Sequence, residues 1–123
     1  VILVDTSIWI DHFRQPDLVL EALIERDDVL THPFVIGELA MGHLRQRDAI
    51  MTWMRDLPLA ISALDEEVLD FVDEHSLFGL GIGYIDAHLL AAARLTQGTA
   101  LWTRDKRLDA AAQRLSLAAR VVN

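Results

Sequence analysis

Short apolar runs that stop at an acidic or polar residue alternate along this chain with amphipathic stretches. That order fits an α/β domain: a mostly parallel sheet whose strands are joined by helices returning the chain to the same edge. Val1 to Val4 is a continuous apolar run of the kind buried on both faces, and it ends at Asp5. Val29 to Thr31, Leu59 to Ala63, Thr99 to Thr103 and an edge segment Arg120 to Val122 read as further strands, so a sheet of four or five is expected. Helices are expected over 17–28, 33–47, 48–56, 66–75, 85–97 and 106–115. Pro33 suits a first helical turn, Asp65 an N-cap and Gly98 a helix end. Phe78 to Tyr84 is a glycine-studded loop, and no linker or repeat divides residues 1–123, which read as one domain.

Composition narrows the function. There is no cysteine, which removes disulfides, thiolate zinc sites and cysteine nucleophiles and accords with a cytoplasmic setting. No apolar stretch is long enough for a membrane span, and no basic segment precedes Val1 to Val4, so neither membrane nor targeting is expected; Val1 implies a trimmed initiator. Nineteen Asp and Glu face 11 Lys and Arg, a net charge of -8, which excludes a protein that merely coats nucleic acid.

Four acids stand apart by position. Asp5 and Asp105 follow apolar runs and so lie at carboxyl ends of expected strands, the edge where open parallel sheets bind ligands. Glu38 and Asp86 each interrupt the apolar stripe of a helix, where an acid chosen only for solubility would not fall. Taken singly, Asp5 and Asp105 also read as caps and Asp86 as a charge placed for the helix dipole. Together they would meet, because neighbouring strands lie about 4.8 Å apart. At roughly 6 Å each ionised pair repels by about 2–3 kcal/mol at an effective dielectric near 20. Protonation relieves such crowding, and so does a hard divalent cation, Mg²⁺ or Mn²⁺, which points to phosphodiester chemistry. Arg104, Lys106 and Arg107 flank Asp105, and Arg45 ends the helix of Glu38; these are candidate phosphate contacts. The five histidines show no zinc spacing, His88 should face away from Asp86, and the acids from Glu66 to Glu74 read as a solvated face. A receiver-like phosphoacceptor module or an aspartyl-nucleophile phosphatase fits the strand-end acid, but each wants a further acid beside it; the phosphatase wants it two residues on, where Ser7 stands.

The segments VDTSIWIDHFR, HPFVIGELAMG and YIDAHLLAAARLTQGTALWTRDKRL resemble, in order, the motifs of PIN-domain ribonucleases, specifically VapC toxins of toxin–antitoxin pairs. The resemblance implies a three-layer α/β/α sandwich, Mg²⁺- or Mn²⁺-dependent cleavage of RNA, a homodimer, and inhibition by a small VapB-like antitoxin with which it can assemble further. It matches Asp5, Glu38, Asp86 and Asp105 to the family's catalytic, metal-holding acids, and Ser7 and Thr103 to its supporting hydroxyls. Leu108 stands where many members carry an aromatic residue.

Overall fold

The computed structural model describes residues 1–121. Its order is β1 (Ile2–Val4), α1 (Thr6–Arg14), α2 (Leu18–Glu25), β2 (Val29–Leu30), α3 (Pro33–Met41), α4 (Arg47–Arg55), α5 (Asp65–Glu74), α6 (Tyr84–Leu95), β3 (Ala100–Trp102) and α7 (Lys106–Arg114). The sheet is parallel, in the order β2-β1-β3. Successive strand residues point to opposite faces, yet Leu3 and Val4 are both fully buried, so helices cover both sides in an α/β/α sandwich. No helix among the described residues is long and apolar enough to cross a membrane.

The sheet has fewer strands than the apolar runs suggest. Leu59 to Ala63 contributes a single parallel bridge, Leu59 to Thr31, framed by Thr31 N–H to Pro58 O at 2.9 Å and Ala60 N–H to Thr31 O at 2.8 Å. At the other edge the bridging residue is Ala118, paired with Leu101; Arg120 and Val121 form no strand, and Val122 lies outside the described residues. Both flanks continue the sheet by one residue, too little for a ladder.

Helix α1 is the element that sequence reading left out. Its β-branched Thr6, Ile8 and Ile10 have weak helix preference, but packing overrides it. Ile8 and Trp9 are fully buried, with Trp9 stacked on Phe13 at 5.8 Å and edge-on to Trp53 at 5.6 Å. Helix α3 ends at Met41, short of Arg47. Gly42 turns extended there, and Arg47 instead starts α4 and reaches back to the Ala40 carbonyl at 2.9 and 3.2 Å, satisfying an end-of-helix acceptor. The N-cap of α5 is Leu64, not Asp65, which is already helical. Helix α6 is buried continuously from Ala87 to Ala93, the small residues letting it sit close to the sheet. Met54 belongs to the core, while Trp53 stays 39% exposed.

The chain places β2 on one side of β1 and β3 on the other. Their carboxyl ends therefore flank the point where strand order reverses, the position at which open α/β sheets form sites. Asp5 leaves β1 there, its N–H bonded to Trp102 O at 2.9 Å across the gap.

Candidate active site

Asp5 is 7% exposed and occupies the N-cap position of α1, but its side chain does not cap the helix. Its Oδ2 instead accepts the Ser7 hydroxyl at 2.8 Å and the Thr103 hydroxyl at 2.7 Å. Each hydroxyl in turn accepts a backbone N–H: Ser7 Oγ from Arg104 at 3.1 Å, Thr103 Oγ1 from Asp105 at 3.1 Å. Both hydroxyl protons are thus directed at Asp5, and the 3.4 Å approach of Ser7 Oγ to Thr103 Oγ1 is a contact between two acceptors rather than a third bond. The turn after β3 is tied in this way to the start of α1, with Asp5 at the knot.

The other three acids come from three different helices. Glu38 projects from the middle of α3, exposed, and its Oε1 accepts the Thr6 hydroxyl at 2.7 Å. Thr6 was not singled out from sequence; its place beside Asp5 and Ser7 was the available signal. Asp105 does cap α7, Oδ1 accepting the N–H groups of Arg107 and Leu108 at 2.9 and 3.0 Å. Asp86 lies in the first turn of α6, half-buried, with Oδ2 on the Gly83 N–H at 3.0 Å. Its carboxyl is pushed above the usual range, first by burial and then by repulsion from Asp5, Asp105 and Glu38, against the opposing Gly83 bond. Asp86 therefore feels all three of the other acids, which are remote in sequence. Among the described residues no three His, Asp or Glu side chains stand close enough to cage an ion. The donor set is nevertheless all carboxylate oxygen, and Mg²⁺ is ordinarily held by one or two carboxylates, with water and phosphate completing its shell.

The four basic candidates differ in freedom. Arg104 is committed within the protein: Nε lies 2.7 Å from Asp11 Oδ2 and Nη2 2.9 Å from Asp17 Oδ2. Burial alone would push the Asp17 carboxyl up, but the Leu20 N–H and the Arg104 guanidinium outweigh it and hold it down. Lys106 is exposed at the start of α7. Arg107 packs over the loop before α6, its side chain lying against Gly81, whose φ of +79° favours glycine there. Arg45, with Arg14 and His43, rims a cleft of about 540 Å³ that has Ile10, Phe13 and Leu39 among its lining residues and Glu38 on its wall.

His88 faces away from Asp86, as expected, and is buried against Phe34 and Tyr84. The acids of α5 from Glu66 to Glu74 are exposed.

The sheet is parallel with Asp5 and Asp105 following strands at its strand-order reversal, and the model for the PIN domain matches residues 2–114. The chain belongs to the PIN-domain family. Within it the chain resembles the VapC type: it is 45% identical over 111 residues, 90% of either chain, to ribonuclease VapC32 of Mycobacterium tuberculosis strain CDC 1551 / Oshkosh, and equally to that of strain ATCC 25618 / H37Rv.

Proposed function

We propose that the chain is an endoribonuclease, the toxin of a toxin–antitoxin module, cutting RNA by hydrolysis at the Asp5, Glu38, Asp86 and Asp105 site. What carries this reading is the 45% identity over 90% of the chain to ribonuclease VapC32, supported by the placement of Asp5 and Asp105 directly after the paired parallel strands β1 and β3. The similarity to ribonuclease VapC32 supports RNA as substrate. The phosphatase reading loses its footing, because two residues after Asp5 stands a serine that donates to it, and the receiver reading because Val4, not a second acid, precedes Asp5.

Asp5, Glu38 and Asp86 would hold Mg²⁺ or Mn²⁺, directly or through water, with Asp105 supporting a second ion or ordering a water. When bound, such a cation offsets charge on the phosphoryl oxygens and eases deprotonation of water. The protein's own part is to orient the acids. Ser7 and Thr103 fix one oxygen of Asp5, and Thr6 fixes Glu38. Water attacks phosphorus in line and gives up a proton, the bond to the 3′-oxygen breaks, and that oxygen takes up a proton from solvent to leave as the 3′-hydroxyl. Lys106, Arg107 and Arg45 hold flanking phosphates; Arg104, tied to Asp11 and Asp17, serves through its backbone N–H on Ser7. We further propose a cytoplasmic homodimer silenced by a VapB-like antitoxin.

EDTA is expected to stop cleavage of total RNA by the purified protein, and excess Mn²⁺ to restore it. Undiminished cleavage in EDTA would remove the cation from this account.

A further inference from the structure

The first turn of α6 is held from behind by a residue of α5. Asp65 Oδ1 accepts the Tyr84 hydroxyl at 2.9 Å and lies 3.1 Å from His88 Nε2. A carboxylate oxygen accepts, so the second contact is a hydrogen bond donated by His88 in the tautomer with its proton on Nε2. Tyr84 and His88 are one turn apart on a single face of α6, and Asp86, midway between them, projects from the opposite face. Two bonds to one oxygen therefore tie the first turn of α6 to α5 on the side opposite Asp86.

The same cluster reaches the helix of Glu38. The His88 ring meets Phe34 edge-on at 4.7 Å and Tyr84 at 4.7 Å, with His32 at 6.4 Å. Phe34 lies one turn before Glu38 on α3. The rings thus form a wall between α3 and α6, setting the separation of Glu38 from Asp86, and Asp65 is its polar anchor. Asp65 itself is 78% exposed, outside the core and outside the acidic site.

We infer that Asp65 is a positioning residue for RNA cleavage, acting through Tyr84 and His88 on the placement of Asp86 relative to Glu38. The inference rests on the proposed role of the acidic quartet. The tie needs an acceptor oxygen rather than a charge, so Asn should serve where Ala does not.

The test compares Asp65→Ala and Asp65→Asn, with kcat and KM on one RNA, Mn²⁺ affinity from the electron paramagnetic resonance of the free ion, and melting temperature. Asp65→Ala is expected to lower kcat about tenfold, as loss of an orienting partner typically does, with KM unchanged and Mn²⁺ bound several-fold more weakly. Asp65→Asn should recover most of both, and the two variants should melt alike. Wild-type kcat and Mn²⁺ affinity in Asp65→Ala, equal losses in both variants, or losses that track the melting temperature would each overturn the inference. Asp86→Asn assayed alongside separates the two readings. If it cleaves normally, the quartet itself falls; if it is dead while Asp65→Ala is normal, only the positioning role falls.

Discussion

Asp86→Asn is expected to abolish cleavage and, in EDTA, to raise the melting temperature. Burial and the charges of Asp5, Asp105 and Glu38 push the Asp86 carboxyl above its ordinary value. A carboxyl raised on folding binds its proton more tightly in the native state than in the unfolded chain. Ionising it therefore costs stability, fully so above the raised value and not at all below the unfolded one. Asparagine removes that cost while keeping an oxygen for the Gly83 N–H, which lies 3.0 Å from Asp86 in the wild type. The lost attraction of a carboxylate for a helix start, about 0.3–1 kcal/mol, works the other way. Against the Gly83 bond, burial and repulsion already give a net upward direction. A gain of about 2–4 °C is expected at neutral pH, shrinking as pH falls toward the ordinary aspartate value near 4. Excess Mn²⁺ should reverse the order, stabilising the wild type by mass action and the variant far less. Thermal melts with and without EDTA across pH decide the matter; a variant less stable than wild type in EDTA contradicts the crowding of charge at this place.

Asp5→Asn should be the cleaner loss of function. The carboxylate is 7% exposed, and both of its hydroxyl partners bond Oδ2. An amide oxygen in that position accepts the same two protons, so the fold should survive with its melting temperature within a few degrees of wild type. What disappears is the negative charge. Cleavage is expected to fall by at least roughly 10²–10³-fold, the scale of deleting one electrostatic element from an active site. Thr103→Val is the useful contrast. It leaves Asp5 charged but one donor short and strips the Asp105 N–H of its acceptor, so a loss of about 10–100-fold is expected together with a lower melting temperature. Full activity in Asp5→Asn would take Asp5 out of the site.

Those two residues also mark how far the sequence could be read. Asp5 and Asp105 were legible because a strand's end and a parallel sheet's ligand-binding edge coincide, and both follow short apolar runs. Asp86 stands out as an acid one turn before the buried Leu89 and Leu90, and Glu38 as an acid among apolar residues, although Phe34 and Met41 on its face are exposed and α3 buries Val35 and Leu39 instead. Helix α1 was not legible, since its β-branched residues disguise a helix that exists only through the burial of Ile8 and Trp9. The outer strands were over-read because Ala60, Ala63, Ala118 and Ala119 pack against the core while each flank pairs with the sheet at a single residue, and local pattern cannot tell that from a ladder. Asp105 caps α7 as its position suggests, whereas Asp5 stands at the N-cap of α1 but turns its carboxyl to the Ser7 and Thr103 hydroxyls. What decides between them is the arrival of Thr103 from 98 residues away, and no spacing rule contains that. Arg104 is a similar case: beside Asp105 in sequence it looks like a phosphate contact, and only the fold brings Asp11 and Asp17 to claim its guanidinium.

The central claim, that four remote acids form one site where water is delivered to a phosphodiester, is tested most directly by the chemistry of the cut ends. Total RNA incubated with the protein and Mn²⁺, followed by end-specific ligation and sequencing, should yield 5′-phosphate and 3′-hydroxyl termini. Products ending in 2′,3′-cyclic phosphate would mean that the substrate's own 2′-hydroxyl attacks, and would contradict the account.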